Sequence, residues 1–430
     1  MPLFPRVKEA PLPEPPVEAP VEPTYLPDPP APGPAGLRDL TAHRDFLRGH
    51  VQALHPFGIG LLDAAGLTLC ESIVADLDLP TFTAATTDGW AVRAANLVGA
   101  TPRMPVVLPV VGEVDVVGHR GAPLPKGTAV RVAAGAPVPE GADTVVPLAE
   151  GVAGDDAVRF TAEARFQQNL VRAGSRITDG DLLVPSGTEL TPRVLGLIAE
   201  VGHDKVLARP RPRVVVLTAD TALVEPGLPL TRLSETYDSC TTMLAASVRR
   251  DGAQVFTTGI VSAEPKSLGM TLSEQLVRAD LVLLVTEVTD DLVAMLAEQG
   301  ELDVAAVDGL PGRQVFAVVG PERAPVLVLP AGALPAYLAY QLVARTLVRR
   351  LAGLDETALA EEVATLTHPL DAEPDRTRLA LGHHLQGRVV PVRGDLPGAA
   401  ELAQANALIV IPPGADPVAA HSDVTCWLLD

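Results

Sequence analysis

A single carboxylate stands out in the stretch LPTFTAATTDGWAVRAANL, where Asp88 and Gly89 interrupt a run of small and hydroxylated residues. A lone carboxylate can hold a hard cation, whereas an Asp-Gly pair can equally turn the chain before the next strand. Both interpretations stay open. A second acid, Asp238, precedes a segment of helical period, where it could bind a ligand or cap the helix.

Motifs for several other chemistries are absent from the sequence. The chain has no P-loop, no Gly-x-Ser-x-Gly elbow and no His-Glu-x-x-His pair. The adjacent His383 and His384 are predicted to lie in a solvated loop. Cys70, Cys240 and Cys426 are far apart and lack metal-site spacing, which is typical of a reducing compartment rather than of a disulfide framework.

Composition narrows the classes of partner. The 430 residues suffice for roughly three domains, and aromatic residues make up only 3%, so the core must be aliphatic. A net charge of −20 disfavours nucleic acid and anionic lipid, so an anionic ligand needs a local pocket of amides and basic side chains. No apolar run reaches the ~20 residues of a membrane span, and the N-terminus lacks the apolar segment of a signal peptide. The sequence therefore predicts a cytoplasmic protein.

The first half of the chain changes character three times. Residues 1–36 are rich in proline and predict a disordered tail, either a solubilising leader or a docking tail anchored by Tyr25 and Leu26. Residues 37–54 have the spacing of an amphipathic helix. Short apolar runs with Pro and Gly between them predict strands over 106–159, and ELTPRVLGLIAEVG predicts a capped helix.

From Pro212 the pattern indicates a parallel sheet. Continuous apolar runs such as PRVVVLTAD and ADLVLLVTEV alternate with segments of helical period, which is typical of strands covered on both faces. Ligands of such sheets bind at the carboxyl ends of the strands. About seventy final residues contain short β runs, which predict a small barrel or sandwich.

Several long blocks resemble the MoeA family, which comprises the molybdopterin molybdenumtransferases and the E domain of gephyrin. The most specific blocks are DLPTFTAATTDGWAVRAANL, GTAVRVAAGAPVPEGADTVVPLAE and LVEPGLPLTRLSETYDS. The similarity runs from Leu37 to Asp430, and the chain resembles a divergent member of the family. The resemblance implies a multidomain fold of α/β and β parts. Its parts would be a helical linker domain at 37–78 and 164–208, an inserted β-rich domain at 79–163, a MogA-like α/β domain at 209–354 with a mostly parallel sheet, and a small C-terminal β domain at 360–430.

The same resemblance implies an activity. The family inserts molybdate into the dithiolene of adenylylated molybdopterin and releases AMP with the help of Mg²⁺. It works as an elongated homodimer, with the substrate between the β-rich domain of one subunit and the α/β domain of the other.

Ten site residues follow from the resemblance. Asp88 and Asp238 occupy positions of catalytic, magnesium-binding acids. The expected substrate-binding residues are Gly89, Gly135, Pro137, Arg172, Thr218, Pro311, Gly312 and Arg313.

The sequence also departs from the family at this site. The glycine loop of the family is replaced by Val285 to Asp291, which has no glycine and adds Glu287, and of two family lysines one is lost and the other is Arg313. Glycine permits close backbone approach to phosphate, so anion binding should be weakened. Two hypotheses remain: a divergent transferase of weakened activity, and a catalytically inactive, gephyrin-like dimeric scaffold that binds a short peptide of a cytoskeletal or cell-division partner.

Overall fold

The computed structural model describes residues 23–117, 122–354, 359–392, 398–414 and 416–429. Contacts within the chain divide it into two compact units. We call Pro56–Arg209 the inserted unit, and the residues before and after it the main unit. Most of the predicted disordered tail, residues 1–22, lies outside the described residues. The five predicted domain boundaries stay a prediction.

The first helix, α1, spans Leu40–Gly49 and is shorter than the predicted helix at 37–54. Its start is fixed by Asp39, whose carboxylate accepts the backbone N–H of Ala42 at 2.8 Å. Leu47 and Val51 are buried in the larger apolar cluster of the main unit. Helix α1 therefore belongs to the main unit.

The inserted unit is built mainly of short strands. They are β1 (Phe57–Gly60), β2 (Ile73–Val74), β3 (Ala84–Ala85), β4 (Gly89–Val92), β5 (Val106–Val114), β6 (Ala129–Val132), β7 (Thr144–Pro147), β8 (Gly151–Ala153), β9 (Ala157–Phe160), β10 (Leu170–Val171), β11 (Leu182–Val184) and, after helix α2 (Pro192–Glu200), β12 (Lys205–Ala208). Six strands form a mixed sheet in the order β7-β4-β6-β5-β9-β8, and three antiparallel pairs join β1 to β12, β2 to β11 and β3 to β10. The predicted strands and the helix starting after Thr191 are confirmed.

A six-stranded sheet forms the centre of the main unit. Its elements are β13 (Arg213–Ala219), the short pair β14 (Leu223–Val224) and β15 (Thr236–Tyr237), α3 (Cys240–Arg250), β16 (Gln254–Val261), α4 (Pro265–Leu276), β17 (Leu281–Thr286), α5 (Asp290–Gln299), β18 (Gly300–Ala306), β19 (Arg313–Val319), β20 (Ala324–Pro330), α6 (Ala333–Ala339) and α7 (Arg345–Leu351). The order is β16-β13-β17-β20-β19-β18, with the first four strands parallel and β19 antiparallel to both neighbours. The mostly parallel sheet is confirmed.

Both faces of this sheet are buried, as the continuous apolar runs predicted. Along β13, Val214 and Val216 pack into one cluster, while Val215 and Leu217 pack into the other. One cluster includes residues of α3 and α6 and the other includes residues of α4 and α5. Helices α6 and α7 are joined by a π-helical turn, Tyr340–Ala344.

The chain before α1 adds to the edge strand β18. The Leu26 N–H donates to the Leu302 carbonyl at 2.9 Å, and the Leu302 N–H donates to the Thr24 carbonyl at 3.0 Å. Leu26 is only 2% exposed. At these residues the structure differs from the predicted disordered tail, because an edge strand offers unpaired backbone groups and Leu26 reaches the apolar cluster.

The C-terminal part closes into a small barrel. The barrel has five strands in the order β21-β23-β22-β24-β25. They are β21 (Glu361–Leu366), β22 (Arg378–Leu385), β23 (Arg388–Pro391), β24 (Ala407–Ile411) and β25 (Asp423–Leu428), and the short helix α8 (Ala399–Leu402) lies between β23 and β24 in the chain. Of the two predicted forms, the barrel is therefore present. His383 and His384 lie in β22 and pair with β23, so their placement in a solvated loop was wrong. Within the described ranges, no helix has the length and apolarity to cross a membrane.

Candidate active site

Asp88 immediately precedes β4 and is exposed. Its Oδ1 accepts the backbone N–H of Ala134 at 2.8 Å, which ties the carboxylate to the turn after β6. Among the described residues, its Oδ2 has no hydrogen-bond partner. The Asp88 carboxylate is thus held by one oxygen and presents the other to solvent.

The turn beside Asp88 brings together other predicted site residues. Gly135 donates its N–H to the Ala85 carbonyl at 2.8 Å, and Ala136 accepts from the Ala85 N–H at 3.0 Å. The φ of Gly135 is +80°, a conformation that disfavours a side chain. Pro137 forms an isolated bridge with Ala84 in β3. This turn is therefore built against β3.

Arg172 reaches the same part of the inserted unit from the other side of β3. Strand β10 pairs antiparallel with β3, with Val171 opposite Ala84, and Arg172 follows β10 in an exposed position. The inserted unit therefore groups Asp88, Gly135, Pro137 and Arg172 around the short pair of β3 and β10.

Gly89 has a structural reason to be glycine. A Cβ at Gly89 would lie 2.4 Å from the Val146 carbonyl oxygen and 2.7 Å from the Val145 Cγ1. Such distances are too short for a real side chain. The close approach of β7 to β4 accounts for this glycine, and its predicted contact with substrate stays a prediction.

In the main unit, Asp238 and Thr218 are linked through a residue that the sequence reasoning missed, Thr241. The Thr241 N–H donates to Asp238 Oδ1 at 3.1 Å, and the Thr241 hydroxyl donates to Asp238 Oδ2. The Thr218 and Thr241 hydroxyl oxygens are 2.7 Å apart. Asp238 therefore interacts with the first turn of α3, as its capping interpretation predicted. The spacing of Asp238 and Thr241 was visible in the sequence, but nothing there indicated Thr218.

Pro311, Gly312 and Arg313 precede or begin β19. Because β19 runs antiparallel to β20, its amino end lies at the same edge of the sheet as the carboxyl ends of the parallel strands. The Arg313 Nη2 donates to the Val288 carbonyl at 3.1 Å and to Asp290 Oδ1 at 3.0 Å. The predicted anion-binding guanidinium is thus already engaged by the segment that follows β17.

The segment between β17 and α5 is short. Strand β17 ends at Thr286 and helix α5 begins at Asp290, so only three residues separate them. The Thr289 hydroxyl accepts the N–H of Leu292 at 3.1 Å and caps the helix. A threonine followed by two acids is a common start of a helix, and this signal could have revealed α5 in the sequence.

A cavity of about 400 Å³ opens at the carboxyl ends of β13 and β17. Its polar lining is Asp220, Thr221, Thr286, Glu287 and Thr289, and apolar residues of α4 and α5 complete it. Strand β16 lies on one side of β13 and β17 on the other, so the cavity lies where ligands of open α/β sheets bind. Among the described residues that line it, the charged side chains are Asp220 and Glu287, both acidic.

Asp88 and Asp238 differ in how well their carboxylates could bind Mg²⁺. In the described parts of the chain, no group of three or more His, Cys, Asp or Glu side chains is arranged to hold a metal ion. Mg²⁺ commonly uses one or two carboxylates together with substrate phosphates. Asp88, with an exposed Oδ2, fits such a role, whereas each Asp238 oxygen already accepts a hydrogen bond from Thr241.

Cys240, which follows Asp238 by two residues, is a free cysteine buried in the main unit. Burial, and secondarily the charge of Asp238, raises the pKa of the Cys240 thiol. A thiol that stays protonated at neutral pH is unreactive.

Comparison with known proteins decides the family. A family model described as "MoeA N-terminal region (domain I and II)" matches residues 38–202. Molybdopterin molybdenumtransferase 2 of Mycobacterium tuberculosis is 31% identical over 410 residues, which cover 91% of this chain and 99% of the relative. The chain belongs to the MoeA family. A Bacillus subtilis member, named molybdopterin molybdenumtransferase, is 28% identical over 370 residues, covering 83% of this chain and 86% of the relative.

The fold of solved MoeA structures agrees with this membership. A molybdopterin biosynthesis MoeA protein from Pyrococcus horikoshii superposes with a TM-score of 0.77 at 23% identity, covering 92% of this chain and 99% of that structure. A second structure of a MoeA protein from that organism gives a TM-score of 0.62 at 20% identity. The predicted fold class is confirmed, and the comparisons give no support to the alternative of a gephyrin-like scaffold.

Proposed function

We propose that this MoeA-family protein inserts molybdate into adenylylated molybdopterin and releases AMP. The observation that carries the proposal is the 31% identity to a molybdopterin molybdenumtransferase that spans 99% of that relative. Because the similarity runs through both units, it includes every segment from which the predicted site residues come. A short-peptide partner belongs to the scaffold alternative, which no observation favours.

Asp88 is the residue we assign to the reacting region of the inserted unit. Its carboxylate is fixed through Oδ1 to the Ala134 N–H, which leaves Oδ2 directed to solvent. If Mg²⁺ is bound, Asp88 would hold it, and the ion would supply positive charge to the phosphates of the substrate. Arg172 and the turn at Gly135, which surround the same strand pair, would bind and orient the substrate.

Turnover by this protein should be weaker than in a family member with the glycine loop. The acidic side chains of Asp220 and Glu287 line the cavity at the sheet edge. Arg313 donates to Asp290, whose carboxylate competes with an anion for this guanidinium. These features oppose a phosphorylated ligand by like-charge repulsion. We also propose a cytoplasmic homodimer, in agreement with the family organisation that the resemblance implies.

The test is an assay of the purified full chain with adenylylated molybdopterin, molybdate and Mg²⁺, followed by AMP release. We expect turnover in the wild type and a loss of at least about 100-fold in Asp88→Asn, since a charge stabilising the transition state is typically worth a few kcal/mol. Asp156→Asn, an exposed acid of the same unit, is the matched control and should retain activity. A wild type that releases no AMP beyond background would contradict the proposal.

A further inference from the structure

Another cavity, of about 330 Å³, lies in the main unit beside the π-helical turn that joins α6 and α7. Its wall is formed by the start of α1, the segment after β18, the π-helical turn and the barrel. Among the described residues that line it, none lines the cavity at β13 and β17, and none is one of the ten predicted site residues. This cavity is therefore separate from the candidate active site.

Gln341 is the unusual residue of this wall. All five side chains of the π-helical turn are buried, and Gln341 is 3% exposed. Among the described residues, neither its amide nitrogen nor its amide oxygen has a hydrogen-bond partner. Tyr340, the residue before it, donates its hydroxyl to Asp251 Oδ2 at 2.6 Å. Burying an amide without a partner is costly and uncommon, and π-helical turns are frequent at functional sites.

Other polar side chains of the wall find partners within the chain. The Asp308 carboxylate accepts the N–H and the hydroxyl of Thr377 at 2.7 and 2.6 Å. The Thr346 hydroxyl donates to the Val343 carbonyl at 2.7 Å. The Gln341 amide instead offers an acceptor oxygen beside an NH₂ donor. Its chemical complement is a carboxamide or a ring lactam, which also presents an N–H beside a carbonyl.

The remaining lining defines the body and the charge of a suitable ligand. Apolar side chains contribute much of the wall, namely Leu40, Leu342, Leu359, Leu379, Val410 and Trp427. The charged lining residues are the acids Asp39, Asp308 and Glu361 and the base Arg44, so the excess of acids disfavours an anion. The volume is near the lower end of the range for small-molecule sites. It therefore suits a single ring system better than a nucleotide.

We propose that this cavity binds a small uncharged molecule that carries a carboxamide or a ring lactam on a flat apolar body. Gln341 pairs with the amide edge of the ligand, and Trp427 and the leucines pack against its ring. Such a ligand supplies both hydrogen-bond partners that the amide lacks among the described residues. The inference goes beyond the proposed function and requires no turnover.

Benzamide is the probe, because it joins a flat apolar ring to a carboxamide. In a Trp90→Phe background, Trp427 in the cavity wall is the single tryptophan. We expect benzamide to change Trp427 fluorescence and to bind, by calorimetry, with a Kd of about 1 mM or tighter. Acetophenone, in which a methyl group replaces the NH₂, and benzoate, which is an anion, should each bind at least about tenfold more weakly.

Two variants test the role of Gln341. Gln341→Leu keeps a similar size without the amide, so it should weaken benzamide binding at least about tenfold and remove the preference for benzamide over acetophenone. Its melting temperature should not fall, because no hydrogen bond within the described residues is lost. Gln254→Leu, at an exposed position of β16, is the matched control and should keep the Kd for benzamide within about twofold.

Four results would each overturn the inference. They are no benzamide binding up to about 10 mM, equal affinity for the three probes, unchanged benzamide affinity in Gln341→Leu, and a lower melting temperature of Gln341→Leu. The last result would show that the fold itself satisfies the amide. Because these measurements report binding and unfolding, the inference can fail while the AMP-release assay supports the proposed function. A wild type that releases no AMP, in turn, leaves the inference intact.

Discussion

Replacing His43 by leucine should reduce the acid sensitivity of the main unit. His43 lies in α1 and is 1% exposed, and neither ring nitrogen has a hydrogen-bond partner among the described residues. Burial, and to a smaller extent Arg38, lowers the pKa of His43 from 6.5 to about 4, although the nearby Asp303 acts in the opposite direction. The folded protein therefore holds this imidazole neutral where the unfolded chain protonates it.

The sign and size of the effect follow from that lowered pKa. Between pH 6.5 and about 4 the unfolded state binds more protons at His43 than the folded state, so the free energy of unfolding falls as the pH falls. The stability that the protein retains while His43 is neutral is fully present above pH 6.5 and fully lost below about pH 4. At 1.36 kcal/mol per pKa unit, the shift is worth about 3 kcal/mol.

Urea unfolding followed by Trp427 fluorescence can measure this contribution. The chain has two tryptophans, and Trp427 lies in the barrel of the main unit, so a Trp90→Phe background removes the signal of the inserted unit. The free-energy difference between His43→Leu and its parent should grow by about 3 kcal/mol from pH 7 to pH 4. The same difference for His55→Leu, an exposed residue, should stay flat within about 0.5 kcal/mol. If the free energy of unfolding changed with pH by the same amount in His43→Leu and in its parent, the reasoning would be refuted.

The other predictions concern charges at the sheet edge and one glycine. Glu287→Gln should tighten binding of adenylylated molybdopterin about fivefold, near 1 kcal/mol, as calorimetry can measure, while Glu287→Asp, which keeps the charge, should not. Asp290→Asn should release Arg313 and remove one carboxylate from the start of α5, which together should tighten binding of that ligand about threefold. The gain should be smaller in an Arg313→Ala background, where only the repulsion is removed, and an equal gain there would show that the ion pair is irrelevant. Gly89→Ala should lower the free energy of unfolding of the inserted unit by about 3 kcal/mol or more, because its Cβ would meet a carbonyl of β7. Gly112→Ala, where a Cβ meets open space, should cost less than about 1 kcal/mol, and equal costs in the two variants would contradict the steric argument.

The sheet of the main unit could be predicted from the sequence because burial on both faces leaves a clear pattern. A parallel strand covered by helices buries both of its faces, so residues 214–217 of β13 and 281–285 of β17 are uninterrupted runs of Val and Leu. The punctuation of α2 was equally readable, since Thr191 caps the helix and Gly202 follows it with φ +93°. These signals are local, and each lies within one element.

Features that depend on distant residues could not be predicted in this way. The pairing of Thr24 and Leu26 with β18 is invisible in a proline-rich composition, because it depends on an edge strand almost 280 residues away. The contact of Thr241 with Thr218 similarly requires the position of α3 relative to β13. Comparison with family motifs likewise gave no sign that α5 begins at Asp290, since an altered loop and the start of a helix look the same when only the missing glycines are considered.

The start of α5 gives a physical reason for the weakened anion binding that the sequence suggested. A helix amino end favours anions through its unpaired N–H groups and its dipole, and the Thr289 cap of α5 lines the cavity at the sheet edge. Here the first turn carries Asp290 and Asp291, and Glu287 lies just before it, so the protein's own carboxylates occupy the favourable field. Because the helix itself is intact, affinity for a phosphorylated ligand should respond to removal of single charges. If Glu287→Gln and Asp290→Asn both leave binding unchanged, the missing glycines, and not the added acids, limit this site.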